Sequence, residues 1–251
     1  MDVTRTFKLV IEYDGTDFSG YQSQGNNERT VQSVLGEAIS RVVDHPVVLH
    51  AAGRTDTGVH ALGQVVSFKT TGRIPTERMA MALNRNLPPD LAVASAGEVD
   101  AGFHARFSAK SRTYVYVVSR RKTRSAIWGR YSLHFRRALD LSAMRGAAAE
   151  LTGTRDFGAF AKTGGSPGPT TVRTLERLQI RAVTGERLYF VVTANGFLRT
   201  MVRNLVGALL DIGTGDESPD IIAELLARPD RVQNPCAPAP PHGLCLWRVD
   251  Y

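Results

Sequence analysis

One carboxylate in this chain lies in a setting that suits catalysis. Asp56 belongs to the segment GRTDTGVHA at residues 53–61, two residues after an arginine and two residues before a glycine. The apolar run at 62–68 predicts a strand, so we expect the Gly-bracketed turn to present Asp56 at a cleft. Arg54 is predicted to keep Asp56 ionised through a charge-assisted hydrogen bond. An ionised aspartate of this kind suits the role of a nucleophile or base near neutral pH.

The same segment allows other interpretations. An aspartate in a Gly-flanked turn often has only a structural role, because its side chain binds nearby backbone N–H groups, and that alternative stays open. The triplet DTG at 56–58 also occurs in aspartic proteases, which need two carboxylates that share a proton and a raised pKa on one of them. The chain has no second DTG, and Arg54 is expected to lower the pKa of Asp56. The protease interpretation is therefore set aside.

The positive charge of the chain is concentrated in its second part. Residues 1–105 carry nine Lys and Arg against twelve Asp and Glu, whereas residues 106–251 carry 22 against 12. The segment 106–137 contains ten basic residues and no acidic one. Aromatic residues are interleaved with them: Phe107, Tyr114, Tyr116, Trp128, Tyr131 and Phe135. Such a segment is typical of a surface that binds phosphates and stacks bases, although a solvated basic loop is the plainer alternative.

Composition narrows the class of protein. No apolar run approaches the roughly eighteen residues of a membrane span, and the first residues lack the layout of a signal peptide. Cys236 and Cys245 form neither a disulfide framework nor a zinc knuckle, so a reducing cytoplasm is expected. The six histidines are scattered without metal-ligand spacing, and phosphate-loop and dinucleotide motifs are missing. The sequence therefore predicts chemistry that needs neither a metal nor a nucleotide cofactor.

The first part of the chain predicts the element order β-α-β-β-α-β. Strands are predicted at 7–13, 47–52, 62–68 and 91–96, and helices at 31–43 and from Thr76 to the LPP motif at 87–89. Thr30 is placed to cap the first helix, whose apolar residues recur at helical spacing. This order is that of the split βαβ, ferredoxin-like unit, which has an antiparallel sheet.

The second part repeats this order more loosely. It predicts strands at 111–118, 171–183, 188–194 and 244–249, helices at 141–151, 199–212 and 221–226, and a Gly- and Pro-rich loop at 161–169. We therefore predict an α+β fold of two ferredoxin-like halves, residues 1–105 with Asp56 and the basic residues 106–251. Their antiparallel sheets are expected to join into one extended sheet, with helices on one face and the active-site cleft at the seam.

Several motifs in order along the chain carry a resemblance to a known family. Besides GRTDTGVHA at 53–61, they are EYDGT at 12–16, TVQ at 30–32, FHARFSA at 103–109, RTYVY at 112–116, TVRT at 171–174 and FLRTMVRN at 197–204. Over nearly its whole length the chain resembles the tRNA pseudouridine synthase A family. Members of that family usually have Trp-Gln where this chain has Tyr21-Gln22.

The resemblance implies an isomerase that converts uridine to pseudouridine in the anticodon stem-loop of tRNA, typically at positions 38, 39 and 40. The glycosidic bond moves from N1 to C5 of the base without a cofactor or metal. Asp56 is then the essential carboxylate, which attacks the sugar C1′, adds to the base or removes the 2′ proton. Arg54 and Arg203 are its expected ion-pair partners, and Tyr114 is expected to stack on the flipped uracil. The family likeness also implies a homodimer that binds one tRNA with both subunits.

Two other function classes remain as alternatives. A non-catalytic protein that binds structured RNA explains the basic segment but not the setting of Asp56. A hydrolase of nucleosides or glycosides explains Asp56 but not the basic segment, and a glycosidase usually needs a second carboxylate. Sequence patterns alone favour a core position for Tyr114, an exposed ion pair for Arg203 and a hydrogen-bonded structural role for His60.

Overall fold

The computed structural model describes residues 4–23, 28–162, 170–183, 185–229 and 234–251. The chain forms two compact units, one of Met1–Lys110 with Leu246–Tyr251 and the other of Ser111–Cys245. Each unit combines helices with mostly antiparallel strands, which confirms the predicted α+β class. No helix within the described ranges is both long and apolar enough to cross a membrane.

The first unit has the predicted element order. It contains β1 (Arg5–Tyr13), α1 (Val31–Val43), β2 (His50–Ala51), β3 (His60–Thr70), α2 (Thr76–Asn84) and β4 (Leu91–Val99). The strands β4, β1 and β3 lie side by side in that order, and β2 pairs with β3. All of these pairings are antiparallel, as a ferredoxin-like unit requires.

Local sequence explains α1 and β1. The Thr30 side chain accepts a hydrogen bond from the Ser33 N–H, and the Ser33 hydroxyl in turn accepts from the Thr30 N–H, so α1 begins with a capping box. Buried residues recur along α1 at helical spacing. In β1 the buried side chains alternate with less buried ones, and Phe7 stacks on Phe68 of β3 with ring centroids 5.6 Å apart.

The second unit contains β5 (Ser111–Ser119), β6 (Leu133–His134), α3 (Leu141–Glu150), β7 (Gly153–Asp156), β8 (Val172–Val183), β9 (Arg187–Ala194), α4 (Met201–Thr214) and α5 (Ile221–Ala227). Strands β5, β9, β8 and β7 lie side by side in that order. The short strands β6 and β7 were not predicted. Most of the predicted loop at 161–169 lies outside the described residues, which exclude 163–169.

Most of the last strand, β10 (Leu244–Asp250), belongs to the first unit and not to the second, where the sequence placed it. The sequence assigned all of 106–251 to the second half, whereas Leu246–Tyr251 belongs to the first unit. The reason is close packing on β3: a Cβ built on Gly63 would lie 2.4 Å from the Trp247 carbonyl oxygen. Only a glycine allows the two backbones to approach so closely.

Candidate active site

Asp56 lies in the loop between β2 and β3, which we call the Asp56 loop (residues 52–59). Asp56 is half-buried and Thr55 is buried. The Val59 N–H donates to the Asp56 carbonyl oxygen at 3.1 Å, and Gly58 has a φ of 76°. A left-handed residue at that position favours glycine. The predicted Gly-bracketed turn is therefore present, and its backbone leaves the Asp56 carboxylate partly accessible.

Three hydrogen bonds fix the Asp56 loop to its surroundings. The Tyr21 N–H donates to the Thr55 carbonyl at 3.1 Å, and the hydroxyl groups of Tyr13 and Thr55 are 2.8 Å apart in a buried contact. From β3, the Gln64 side-chain amide donates to the Gly53 carbonyl at 2.7 Å. Gly53 and Thr55, which precede Asp56, are thus bound to neighbouring elements, and this preorganises the loop that carries the carboxylate.

Two glycines allow the segment that follows β1 (residues 14–21) to pack closely against the Asp56 loop. A Cβ on Gly15 would lie 2.1 Å from the Val59 carbonyl oxygen. Gly20 has a φ of +89°, and its Cβ would lie 3.0 Å from the Thr55 carbonyl oxygen. Any larger residue at Gly15 must displace the Asp56 loop.

His60 has the structural role that the sequence pattern favoured. It is only 5% exposed, and its Nδ1 accepts a hydrogen bond from the Gly15 N–H at 3.0 Å. His60 therefore holds the segment that follows β1 against the start of β3.

Arg54 is exposed. Its pairing with Asp56 stays a prediction. A long exposed side chain loses conformational entropy when it forms a surface ion pair, and the pair returns little energy in water.

Tyr114 lies on β5 in the second unit, where it is 7% exposed. Its ring meets the ring of Phe197 edge to face, with centroids 5.1 Å apart and an interplanar angle of 89°. The favoured geometry of an aromatic pair fixes the orientation of the Tyr114 ring. Phe197 belongs to the motif FLRTMVRN, and no sequence pattern indicated that it packs on Tyr114.

Arg203 lies in the first turn of α4. Its Nε donates to the Ala239 carbonyl oxygen at 2.7 Å, and the Ala239 N–H donates to the Arg203 carbonyl at 2.9 Å. The residue before α4, Thr200, has a left-handed φ of 65°, which is uncommon for a residue other than glycine. Arg203 is half-buried and held by a backbone carbonyl, whereas the helical pattern favoured an exposed ion pair.

A buried tyrosine lies near Arg203 in the second unit. Burial raises the pKa of Tyr116, and the positive charge of Arg203 opposes that shift. The Tyr116 hydroxyl donates to the Pro240 carbonyl at 2.9 Å, and a Cβ on Gly243 would lie 2.6 Å from the Tyr116 ring. Tyr116 thus ties the segment around Pro240, and with it Ala239, to β5.

The cations of the basic segment 106–137 differ in their exposure and in the partners they bind. Arg112 is buried and donates to the Asn195 carbonyl at 2.7 Å, and Arg137 forms a bidentate pair with Asp216. The others with exposed side chains include Arg106, Lys110, Lys122, Arg124, Arg130 and Arg136. Among the aromatic residues, Trp128 and Tyr131 are partly exposed, and Arg187 lies over the Trp128 ring at 4.2 Å.

An anchored aspartate in one α+β unit and an Arg-rich, aromatic-bearing second unit are typical of enzymes that modify bases in structured RNA. A family model described as tRNA pseudouridine synthase matches residues 9–108 and 147–251. The chain therefore belongs to the tRNA pseudouridine synthase family, which consists of isomerases that act on uridine in tRNA.

Individual relatives agree with this assignment. The chain is 44% identical to tRNA pseudouridine synthase A of Geobacter sulfurreducens over 98% of this chain and 100% of that protein. It is 42% identical to the protein of the same name from a Thermoanaerobacter species, over 98% of this chain and 100% of that protein. A third such protein, from Moorella thermoacetica, is 44% identical over 97% of this chain and 98% of its own length.

Proposed function

We propose that this chain converts uridine to pseudouridine in the anticodon stem-loop of tRNA, at positions 38, 39 and 40, with Asp56 as the essential carboxylate. The observation that carries the proposal is the coincidence of the family match with the anchored loop. The matched residues include the whole Asp56 loop, and hydrogen bonds with Tyr13 and Gln64 anchor Thr55 and Gly53 just before the aspartate. Such anchoring suits a reacting group more than a solvated turn residue.

The reaction breaks the bond between C1′ and N1 of one uridine and forms a bond between C1′ and C5. C5 gives up its proton to the solvent and N1 gains one, so the product is an isomer of uridine. Because the base lies within RNA structure, it must flip out of its stack to be reached. We assign Asp56 to the chemistry at the reacting uridine, and no metal or cofactor is part of the proposal. Asp56 is only half-buried, and we propose that a flipped nucleotide reaches its carboxylate.

The second unit supplies the other residues of the proposed reaction. Tyr114, oriented by Phe197, is proposed to stack on the flipped uracil. Arg203, held by Ala239, is proposed to pair with the carboxylate of Asp56 when the RNA is bound. Arg54, which is exposed, is proposed to contact the RNA at the place that the flipped base leaves.

The exposed cations of the basic segment are proposed to bind tRNA phosphates. Arginine forms bidentate hydrogen bonds with phosphate groups, and Trp128 and Tyr131 offer partly exposed rings beside them. We further propose that the protein acts as a cytoplasmic homodimer in which both subunits contact one tRNA.

The test is tritium release from unmodified tRNA that carries uridine labelled at C5, in the presence of EDTA. Wild type is expected to release tritium, and Asp56→Asn is expected to release none while binding tRNA with unchanged affinity. Asp17→Asn is the matched control, because Asp17 is an exposed aspartate of the same unit. It is expected to retain the wild-type rate.

Two results would contradict the proposal. Wild type that binds tRNA but releases no tritium would indicate the non-catalytic RNA-binding protein. An Asp56→Asn variant that releases tritium at the wild-type rate would remove Asp56 from the reaction. Mapping of the modified positions in the product then tests the assignment to 38, 39 and 40.

A further inference from the structure

Three aromatic rings lie against one another in the first unit, and we call them the ring stack: His50, His104 and Phe107. The ring centroids of His50 and His104 are 4.3 Å apart, and those of His104 and Phe107 are 4.4 Å apart. The interplanar angles are 32° and 34°. Phe107 is 74% exposed and His50 is exposed as well. An exposed phenylalanine alone is ordinary, but a series of tilted rings that ends in one is a flat apolar surface.

The ring stack is held rigidly from below. Ala105, between the two rings of the 104–107 turn, is fully buried. Its N–H donates to the Ser67 hydroxyl at 3.0 Å, and its carbonyl accepts from the Tyr251 hydroxyl at 2.7 Å. Ser67 of β3 is also the strand partner of His50 in β2. One residue of β3 therefore brings His50 and the 104–107 turn together.

The turn also fixes the orientation of the His104 ring. The Nδ1 of His104 accepts hydrogen bonds from the backbone N–H groups of Arg106 at 3.2 Å and Phe107 at 3.4 Å. These contacts fix the His104 ring before any ligand binds. The protein therefore loses little conformational entropy when a base stacks here.

A cation lies beside the ring stack. The guanidinium of Arg106 lies 5.5 Å from the centroid of the Phe107 ring. Arg106 begins the segment 106–137, which has no acidic residue. An aromatic surface beside a cation suits a ligand that has both a flat ring and a phosphate.

We propose that the ring stack binds an unpaired nucleobase of the RNA, which stacks on Phe107 while Arg106 binds the adjoining phosphate. The inference rests on the proposed function, because it takes tRNA as the bound RNA. The base must come from a loop, since a base within a helix has both faces covered by its neighbours. His50 lies three residues before Gly53 of the Asp56 loop, so the stacked base and the reacting uridine contact the same unit.

A second copy of the chain is the other partner that an exposed apolar surface could have. The surrounding charge favours RNA. Two copies that met at this surface would bring two Arg106 side chains together, which costs electrostatic repulsion, whereas a polyanion gains attraction and releases counterions. The proposal therefore assigns the ring stack to the nucleic acid.

The experiment compares tRNA affinity among variants over a series of salt concentrations. Phe107→Leu keeps an apolar side chain but removes the flat ring, and we expect the dissociation constant to rise about five- to a hundredfold. The slope of log affinity against log salt should stay unchanged, because no cation is lost. Phe107→Trp should bind at least as tightly as wild type. Arg106→Ala should make this negative slope shallower by about one.

The matched control is Met81→Ala, which removes another exposed apolar side chain from the same unit and should bind tRNA like wild type. In Phe107→Trp, the added indole should lose fluorescence when tRNA binds, relative to wild type treated in the same way. Thermal melts of the Phe107 variants should coincide with that of wild type, since Phe107 is largely exposed.

Three outcomes would overturn the proposal: wild-type affinity in Phe107→Leu, no added quenching in Phe107→Trp, or a changed sedimenting mass in Phe107→Leu. The last would assign the ring stack to subunit association. A wild type that binds tRNA without releasing tritium defeats the proposed isomerase function, whereas the affinity series still tests the ring stack.

Discussion

Arg203 and Ala239 bind each other twice. The Ala239 N–H donates to the Arg203 carbonyl at 2.9 Å, and the Arg203 Nε donates to the Ala239 carbonyl at 2.7 Å. Backbone and side chain of the arginine are thus fixed by one small residue 36 positions later in the chain. The Nε bond occupies one edge of the guanidinium and leaves the direction of the remaining N–H groups defined. Under the proposed function, this arrangement aims Arg203 at its anionic partner.

Arg203→Lys is therefore expected to lower kcat about a hundredfold, because an ammonium cannot bind the Ala239 carbonyl and present a planar fork at the same time. Steady-state tritium release measures this change in kcat. Arg145→Lys is the matched control, since the Arg145 Nε also donates to a backbone carbonyl, that of Ile180 at 3.3 Å, but has no proposed role. Equal kcat values for the two variants would show that Arg203 is only structural.

Gly15→Ala is expected to lower both stability and activity. The new Cβ would lie 2.1 Å from the Val59 carbonyl, so the Asp56 loop must shift, and we expect a loss of about 2–4 kcal/mol of unfolding free energy. Urea melts and tritium release measure the two effects. Gly97→Ala is the control, because a Cβ there meets nothing within 4 Å. Full activity in Gly15→Ala would mean that the position of the loop does not matter.

Two buried tyrosines should respond in opposite ways to loss of their hydroxyl groups. The Tyr21 hydroxyl is buried and has no hydrogen-bond partner among the described residues, so Tyr21→Phe should raise the unfolding free energy by about 1 kcal/mol. The Tyr13 hydroxyl is 2.8 Å from that of Thr55, so Tyr13→Phe should lower it by about 1–2 kcal/mol. Chemical denaturation distinguishes them. The same sign for both variants would contradict this account of the two hydroxyls.

The ion pair of Arg137 and Asp216 should make the stability of the protein depend on pH in the acidic range. Hydrogen bonds from Arg137 and then Thr214 lower the pKa of Asp216 from 3.8 to about 2. A lowered folded-state pKa means that the stabilisation is present above about pH 4 and is lost as the pH falls through about 2. Asp216→Asn should therefore melt below wild type at pH 6, and the two Tm values should converge as the pH approaches 2. A Tm difference between wild type and Asp216→Asn that persists at pH 2 would contradict the assignment. So would the same effect of Asp216→Asn on Tm in a protein that also carries Arg137→Ala.

Elements that depend on local sequence could be predicted closely. The helix α1 spans Val31–Val43 and begins at the Thr30 cap, as predicted, because capping and helical periodicity involve residues within four positions of each other. The strand predicted at 47–52 is only His50–Ala51, and β6 and β7 were missed. Strands of two to four residues exist through their partners and are too short to show a period.

For the candidate site, the sequence by itself predicted which side chains carry the chemistry. Residue types and spacing indicated Asp56, and the motifs shared with the family added Tyr114 and Arg203, since a carboxylate, a phenol and a guanidinium have the same chemical capacity in any fold. The family to which the chain belongs followed from the same motifs. The tertiary structure alone decided how those side chains are held. Tyr13 and Gly15 support the Asp56 loop, and Ala239 orients Arg203 through backbone atoms that every residue possesses. Such contacts leave no trace in residue type, because they depend on which distant segments pack together.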